Sequence, residues 1–240
     1  MAGKYSFSPL YPAILPLAWA FFLSADVPAQ IKLVDPCIPD SEVVIYSVTE
    51  DGSPRQSVYE ERVFRKNDSA GCHYEISVHS SELELTAKTR PVDFFMYSIV
   101  SVNSFNKASI RRSLSLVENN TPLKADELGI LDYSSLVISL RGFPFASCSE
   151  ASLVLLGVQN NLGMKITNDG SERISASGKD IDCYKLELGL SGFWGKLLPK
   201  ARFWYAAASP HQLVRYEGPK AGIGSPTRTL ELKDYSVKKH

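Results

Sequence analysis

Alternating hydrophobic and polar residues recur along most of the chain. In the clearest case, CHYEISVHS at residues 72–80, Cys72, Tyr74, Ile76 and Val78 alternate with polar residues. Successive side chains of a β-strand point to opposite faces, so this period of two predicts a strand with one buried and one solvated face. Similar runs, separated by short polar turns, include EVVIYSV, SVYEERVF, DFFMYSIVSVNSF, SIRRSLSLVEN, DIDCYKLELGLSG and RTLELKDY. The pattern predicts a mainly β fold, an antiparallel sheet curled into an open barrel.

Turn residues divide these runs. Beyond Ser80 and Ser81 the apolar positions shift by one, to Leu83, Leu85 and Ala87, which predicts a tight reversal or bulge between two antiparallel strands. The clusters NDSAG at 67–71 and NDG at 168–170 predict further turns.

One segment, LGILDYSSLVISLRGFPF, departs from the strand pattern. Asp132 is a candidate helix cap, and Leu136, Val137 and Leu140 would share a helical face. Gly142 and Pro144 would end the helix. We therefore predict one helix at about residues 131–141. A single helix in a β-rich chain is expected to lie across the sheet as a lid or plug.

The first 29 residues have the features of a signal peptide. An apolar stretch from Leu10 to Leu23 follows Lys4 and leads to small residues at Val27 and Ala29. The stretch is short for a membrane span of about 20 residues, although a retained anchor is the alternative. We expect cleavage before Gln30 and a mature protein exported to the periplasm of a Gram-negative bacterium.

Residues 30–240 are long enough for a single β-rich domain with its own core. The full chain has 26 basic and 26 acidic residues, and this balance does not predict the broad cationic face that binds nucleic acid.

The four cysteines, Cys37, Cys72, Cys148 and Cys183, all fall within the predicted mature chain. Export to an oxidising compartment makes disulfides the first expectation, with pairing of Cys37 to Cys72 and of Cys148 to Cys183 favoured among the possible connectivities. Four buried free thiols are the alternative. Zinc is less favoured because no two cysteines have the short spacing of a metal knuckle.

No catalytic constellation, metal site or cofactor site is predicted. His211 follows Ser209 and Pro210 between two strand-like runs, where an exposed turn residue is the expected reading. The chain also lacks the G-x-S-x-G and H-E-x-x-H motifs of common hydrolases.

The stretch SGFWGKLLPKARFWY combines aromatic and cationic side chains, a composition that suits the mouth of an apolar pocket or a lipid headgroup boundary. A hairpin with aromatic residues in the core and solvated cations is the alternative. If the stretch binds a ligand, the candidate residues are Phe193, Trp194, Lys196, Lys200, Arg202, Phe203, Trp204 and Tyr205.

Four segments together resemble a bacterial exported family known as domain of unknown function 3108: LDYSSLVISLRGFP, GKDIDCYKLEL, ARFWYAAASPHQLVRYEG and TRTLELKDY. The resemblance covers roughly residues 42–235. It implies an envelope protein of antiparallel β-sheet, similar in architecture to the open barrels of lipoprotein carriers, with no known activity. Asp132, Ser135, Arg141 and Trp204 match residues that recur in that family without an established role.

Two functions remain open from the sequence. The first is a non-enzymatic binding protein that holds a lipid-like or other apolar molecule in the barrel. The second is a structural or adaptor protein of the cell envelope, with a filled core and a protein partner.

Overall fold

The computed structural model describes most of the chain beyond the predicted signal peptide, whose residues 1–29 lie outside the described part. The described residues are 30–69, 71–91, 94, 96–103, 108–113, 130–132, 135–156, 161–192, 195, 198–220 and 225–238.

These residues form one 13-stranded sheet and one short α-helix. The strands in the first half of the chain are β1 (Ser41–Glu50), β2 (Ser53–Asp68), β3 (Gly71–Ser80), β4 (Leu83–Thr89), β5 (Met96–Asn103) and β6 (Ala108–Ser113). The later elements are β7 (Ile130–Asp132), α1 (Leu136–Ser139), β8 (Glu150–Leu156), β9 (Asn161–Ala176), β10 (Lys179–Leu190), β11 (Ala201–Ala206), β12 (Leu213–Pro219) and β13 (Thr227–Lys238).

Two antiparallel meanders make up the sheet, whose strand order is β6-β5-β4-β3-β2-β1-β13-β12-β11-β10-β9-β8-β7. Strands β1 and β13, from opposite ends of the described chain, pair antiparallel and join the two meanders at the centre. The neighbouring pairs are antiparallel throughout, except for the short parallel pair of β7 with β8. The predicted mainly β, antiparallel fold is confirmed, and the sheet is not closed.

Ion pairs beyond the strand ends show that the sheet is strongly curled. Lys220, just after β12, lies 2.6 Å from Glu82 in the β3–β4 turn and 2.8 Å from Glu50 at the end of β1. Strands β3 and β12 are four places apart in the sheet, so they would be about 19 Å apart if the sheet were flat. Because Lys220 and Glu82 could not meet across that distance, the two meanders must bend towards each other.

Alternation places the apolar side chains on the inner face of the curled sheet. In β3, Tyr74, Ile76 and Val78 are buried, as the sequence pattern predicts. Cys72 is exposed because it lies at the start of the strand. In β1, Val44, Tyr46 and Val48 face inward in the same way, and the core extends across both meanders.

The predicted helix is much shorter than expected. Residues 130–132 form β7, so Asp132 belongs to a strand and the helix N-cap is Ser135. Helix α1 continues as a 3-10 helix at Leu140–Gly142, which confirms the helical segment and its end near Gly142. Among the described residues, no helix has the length and hydrophobicity needed to cross a membrane.

The predicted turn at NDG is wrong. Residues 168–170 lie within the continuous strand β9, at a register shift opposite Tyr184 and Leu186 of β10. Gly170 has a φ of +90°, a conformation that glycine adopts without steric cost. The same turn-forming residues therefore make a β-bulge, and the reversal comes later, at Ser177 and Gly178.

Candidate functional site

Residues 135–145, here called the plug, cross the inner face of the sheet. The plug is buried along most of its length: Leu136, Ile138, Leu140 and Phe143 are each at most 7% exposed. The structure thus places the helical segment as a plug, one of the two roles expected for it.

A second segment, residues 30–40, here called the leader, packs on the plug. The Val34 N–H donates a 2.7 Å hydrogen bond to the Gly142 carbonyl oxygen. A Cβ atom at Gly142 would lie 2.7 Å from the Val34 carbonyl oxygen and 3.1 Å from the Phe94 side chain. Only glycine allows the leader and plug to approach this closely.

Hydrogen bonds from the C-terminal meander also hold the plug. The Tyr205 hydroxyl of β11 donates to the Val137 carbonyl oxygen at 2.6 Å. The Asn168 amide of β9 donates to the Phe145 carbonyl oxygen at 2.9 Å, at the end of the plug. These contacts give plug backbone atoms the buried partners that they need.

Arg141 is the centre of the plug's contact with the sheet. Its Nη1 donates to Glu42 Oε1 of β1 and, at 3.1 Å, to Glu61 Oε1 of β2, while its Nη2 donates to Glu42 Oε2 at 3.2 Å. Nε and Nη2 also donate to the Pro210 carbonyl oxygen in the β11–β12 turn. The three charged side chains are at most 1% exposed, so a buried ionic cluster joins the plug to β1 and β2 of the N-terminal meander. The bonds to the Pro210 carbonyl oxygen join Arg141 to the C-terminal meander.

The two carboxylates of this cluster have different surroundings. Both oxygens of Glu42 accept hydrogen bonds from Arg141, and Oε2 accepts another from the Tyr235 hydroxyl at 3.2 Å. Glu61 Oε2 is buried and has no hydrogen-bond partner among the residues that the structure describes. Burial raises the pKa of Glu61 to about 7. The positive charge of Arg141 opposes this rise only in part, and the negative charge of Glu42 adds to it.

His211 differs from the expected exposed turn residue. Its ring is half-buried beside Phe145, at 5.0 Å between ring centroids, and its Nδ1–H donates to the Ala206 carbonyl oxygen at 2.8 Å. The bond from Ser209 Oγ to the Pro36 carbonyl oxygen, 2.8 Å long, joins the same turn to the leader. The role that the structure assigns to His211 is packing against the end of the plug.

The aromatic residues of β11 lie on both faces of the sheet. Phe203 and Tyr205 are fully buried on the inner face, with ring centroids 6.2 Å apart. Trp204 faces outward, where its indole N–H donates to Glu172 and its ring lies 5.9 Å from Lys185 Nζ and 5.7 Å from the Arg215 guanidinium. Charged side chains therefore cover Trp204, whereas the Tyr205 hydroxyl reaches the plug.

The two described cations of the candidate set lie on the outer surface. Lys200 Nζ is 2.7 Å and Arg202 Nε is 3.2 Å from the carboxylate of Glu187. Both residues border an open cleft of about 340 Å³ between the ends of β11, β12 and β13, together with Glu217 and Gly218. Phe193, Trp194 and Lys196 lie outside the described residues.

The expected disulfides are not formed in the structure: all four cysteines are free thiols. Cys72 Sγ accepts a 3.3 Å hydrogen bond from Arg65 Nε, while the Cys148 and Cys183 thiols donate to the carbonyl oxygens of Glu150 and Ile181. Burial raises the pKa of Cys183 to about 12. Cys37 and Cys72 are exposed, so the alternative of four buried thiols is also wrong. In the described part of the chain, no group of three His, Cys, Asp or Glu side chains is placed to hold a metal ion.

The motifs of the sequence do not identify the ionic cluster. Arg141 enters only through the family resemblance, and Glu42 and Glu61 belong to none of the predicted sites. A usable pattern was present, because Glu42 has the inward parity of Val44 and Tyr46, and Glu61 lies between the inward residues Tyr59 and Val63. Charged residues at inward positions of two adjacent strands indicate a buried partner.

No family model matches this chain, so the resemblance to domain of unknown function 3108 remains a prediction, and no curated protein matches the chain either.

The solved structures to which this chain is similar share little sequence with it. A β-barrel-like protein of domain of unknown function 1849 from Brucella abortus is 9% identical, with a TM-score of 0.38, over 85% of this chain and 100% of that one. A protein described as exported, with a YmcC-like fold, from Bacteroides fragilis is 12% identical, with a TM-score of 0.35, over 87% and 100%. A LolA superfamily protein from Nitrosomonas europaea is 12% identical, with a TM-score of 0.25, over 84% and 87%.

Proposed function

We propose that this chain is an exported, non-enzymatic protein of the cell envelope that binds a lipid-like or other apolar molecule on the inner face of its sheet. The observation that carries the proposal is the plug itself. It is a separate segment whose apolar side chains occupy the inner face, while hydrogen bonds and ion pairs hold it at defined points.

The plug occupies the inner face as an apolar ligand would. Leu136, Ile138, Leu140 and Phe143 are all buried there. Full burial of such a side chain contributes about 1.5–3 kcal/mol. If the plug lifts, the inner face loses this cover, and an acyl chain can provide equivalent apolar contacts.

The outer cleft supplies a polar neighbour for a bound headgroup. Lys200 and Arg202 border it, and they share the single carboxylate of Glu187. Glu217 also borders the cleft and is paired with Arg215, so Lys200, Arg202, Arg215, Glu187 and Glu217 together carry one positive charge. That balance favours an anionic over a cationic headgroup, with the strength of a screened surface interaction.

The adaptor function is the second candidate. It is supported by the packing around β11, where Phe203 and Tyr205 are completely buried and Tyr205 is hydrogen-bonded to the plug. In that case the plug is a permanent part of the core, and the envelope protein acts through its outer surface on a protein partner.

The experiment that separates the two functions uses the hydroxyl that holds the plug. The variant Tyr205→Phe loses the hydrogen bond to the Val137 carbonyl oxygen. This loss lowers the free energy that holds the plug in place by about 1 kcal/mol, so the plug opens more readily. Because apparent affinity scales with the open fraction, we expect an apolar fluorescent probe to bind about fivefold more tightly, and fatty acid to displace it.

The matched control is Tyr216→Phe on the adjacent strand, which removes a hydroxyl bond to the Pro219 carbonyl oxygen, away from the plug. This variant should bind the probe like the wild type. Native mass spectrometry of protein purified from its own envelope should also detect a bound lipid. If neither wild type nor Tyr205→Phe binds probe, and no lipid copurifies, the adaptor function is favoured.

A further inference from the structure

The buried cluster contains more acidic than basic groups. Two carboxyl groups, Glu42 and Glu61, share one guanidinium, that of Arg141, and all three side chains are at most 1% exposed. With both carboxyl groups ionised, the cluster has a net charge of −1. A buried charge without compensation is unfavourable, and binding of one proton removes it.

The proton belongs on Glu61. Both oxygens of Glu42 already accept hydrogen bonds, from Arg141 and from the Tyr235 hydroxyl. Within the described part of the chain, Glu61 Oε1 accepts a bond from Arg141, and the buried Oε2 accepts none. Burial accordingly raises the pKa of Glu61 to about 7, within reach of physiological pH.

Among the described residues, the charges that act on Glu61 are those of Arg141 and Glu42. The titratable groups that interact with Glu61 are Arg141 of the plug, Glu42 and Tyr46 of β1, Tyr59 of β2 and Tyr205 of β11. Burial raises the pKa of each of these three tyrosines, so all three are uncharged near neutral pH.

We propose that the plug is a proton-operated switch: its docking through Arg141 is coupled to protonation of Glu61, and a rise in pH through neutrality favours undocking. When the plug lifts, Arg141 leaves the carboxyl pair, solvent reaches Glu61, and its proton passes to water. No ligand is required for this step, so the proposal can fail without the binding function failing.

The sign of the pH effect follows from the two states. Glu61 has a pKa of about 7 in the docked state, against an ordinary value of 4.5 in contact with solvent. Between these values the docked state binds more protons, so docking is strongest at the acidic end of the window and weakens as pH rises through about 7.

Hydrogen–deuterium exchange of the full chain measures this directly. Exchange of the plug amides is followed by mass spectrometry from about pH 5.5 to about pH 8 and corrected for the intrinsic rates. The opening constant of the plug should rise by about 30-fold over this range, given the two pKa values. Amides of the central strands β1 and β13 should show a much smaller change.

Glu61→Gln is the decisive variant, because it keeps the shape of the side chain and removes its titration. Its plug should open to a nearly constant extent across the same pH range. The matched control is Glu60→Gln, on the same strand but beside the outward-facing Arg62, which should retain the wild-type pH dependence.

A second readout needs no variant of the cluster. Carbon-13 NMR of the wild-type glutamate carboxyl groups should show one buried carboxyl that titrates near pH 7, at the same midpoint as the change in exchange. The proposal is overturned if plug opening does not change with pH, if Glu61→Gln keeps the wild-type dependence, or if every glutamate titrates near its ordinary value.

Discussion

At the scale of the residue, Arg141 explains why a short helical segment can stay on the inner face of the sheet. Its guanidinium donates to Glu42, to Glu61 and to the Pro210 carbonyl oxygen, which belong to three different parts of the chain. Burial of such a cluster has a large desolvation cost, so the cluster is better evidence for one specific plug position than for net stability.

Removal of the cation alone should therefore be severe. In Arg141→Leu, two carboxyl groups remain buried without a positive partner, and we expect a loss of about 3–5 kcal/mol in the free energy of unfolding. Urea unfolding followed by circular dichroism measures the change.

The control for this prediction is a triple variant, Arg141→Leu with Glu42→Gln and Glu61→Gln, which has no buried charge in the cluster. It should recover a large part of the lost stability. An Arg141→Leu protein as stable as the wild type would contradict the buried cluster itself.

At the scale of the element, the plug depends on close contact with the leader. Gly142 lies where a Cβ atom would come within 2.7 Å of the Val34 carbonyl oxygen, a backbone atom that cannot rotate away as a side chain does. The 3-10 turn and the leader are thus fitted to one another at this position.

Gly142→Ala should destabilise the protein by about 1–3 kcal/mol, because leader and plug must separate to admit one methyl group. The expected readout is a lower midpoint of urea unfolding, with faster hydrogen exchange in the plug. Gly163→Ala in β9 is the matched control, since its Cβ would meet nothing closer than Ser191 Oγ at 3.9 Å. Equal effects of the two substitutions would be evidence against the tight contact.

The sequence predicts most of the strands correctly but fewer features of the candidate site. The runs that became β3, β10 and β13 are confirmed as strands, because alternation is a local property that a strand requires of its own residues. The NDG cluster shows the limit: Asn168 and Gly170 suit both a turn and a bulge, and only the pairing of β9 with β10 decides between them.

At the scale of the whole molecule, two meanders depend on a single central pairing. Strands β1 and β13 bring opposite ends of the described chain together, and the ion pairs of Lys220 and Arg228 with Glu50 and Glu82 connect strand ends near this junction. The leader follows directly from the region that the sequence predicts as a signal peptide, and it then contacts the plug.

We predict that the exported protein begins at or within a few residues of Gln30, because Val27 and Ala29 are the small residues that signal peptidase requires. N-terminal sequencing of the protein from its own envelope tests this. A chain that still contains Trp19 would show that the segment is retained as an anchor.

The sequence by itself determined the mainly β class, most strand positions and the antiparallel hairpins, because these depend on the residues of one strand and its adjacent turn. Only the tertiary structure decided the parallel pairing of β7 with β8, the β1–β13 junction and the four free thiols. It also decided the ionic cluster, in which Arg141 meets carboxyl groups 99 and 80 residues away along the chain. The physical reason is that local alternation specifies which face a side chain takes, whereas the curl of the whole sheet and the position of the plug determine which distant side chains meet there.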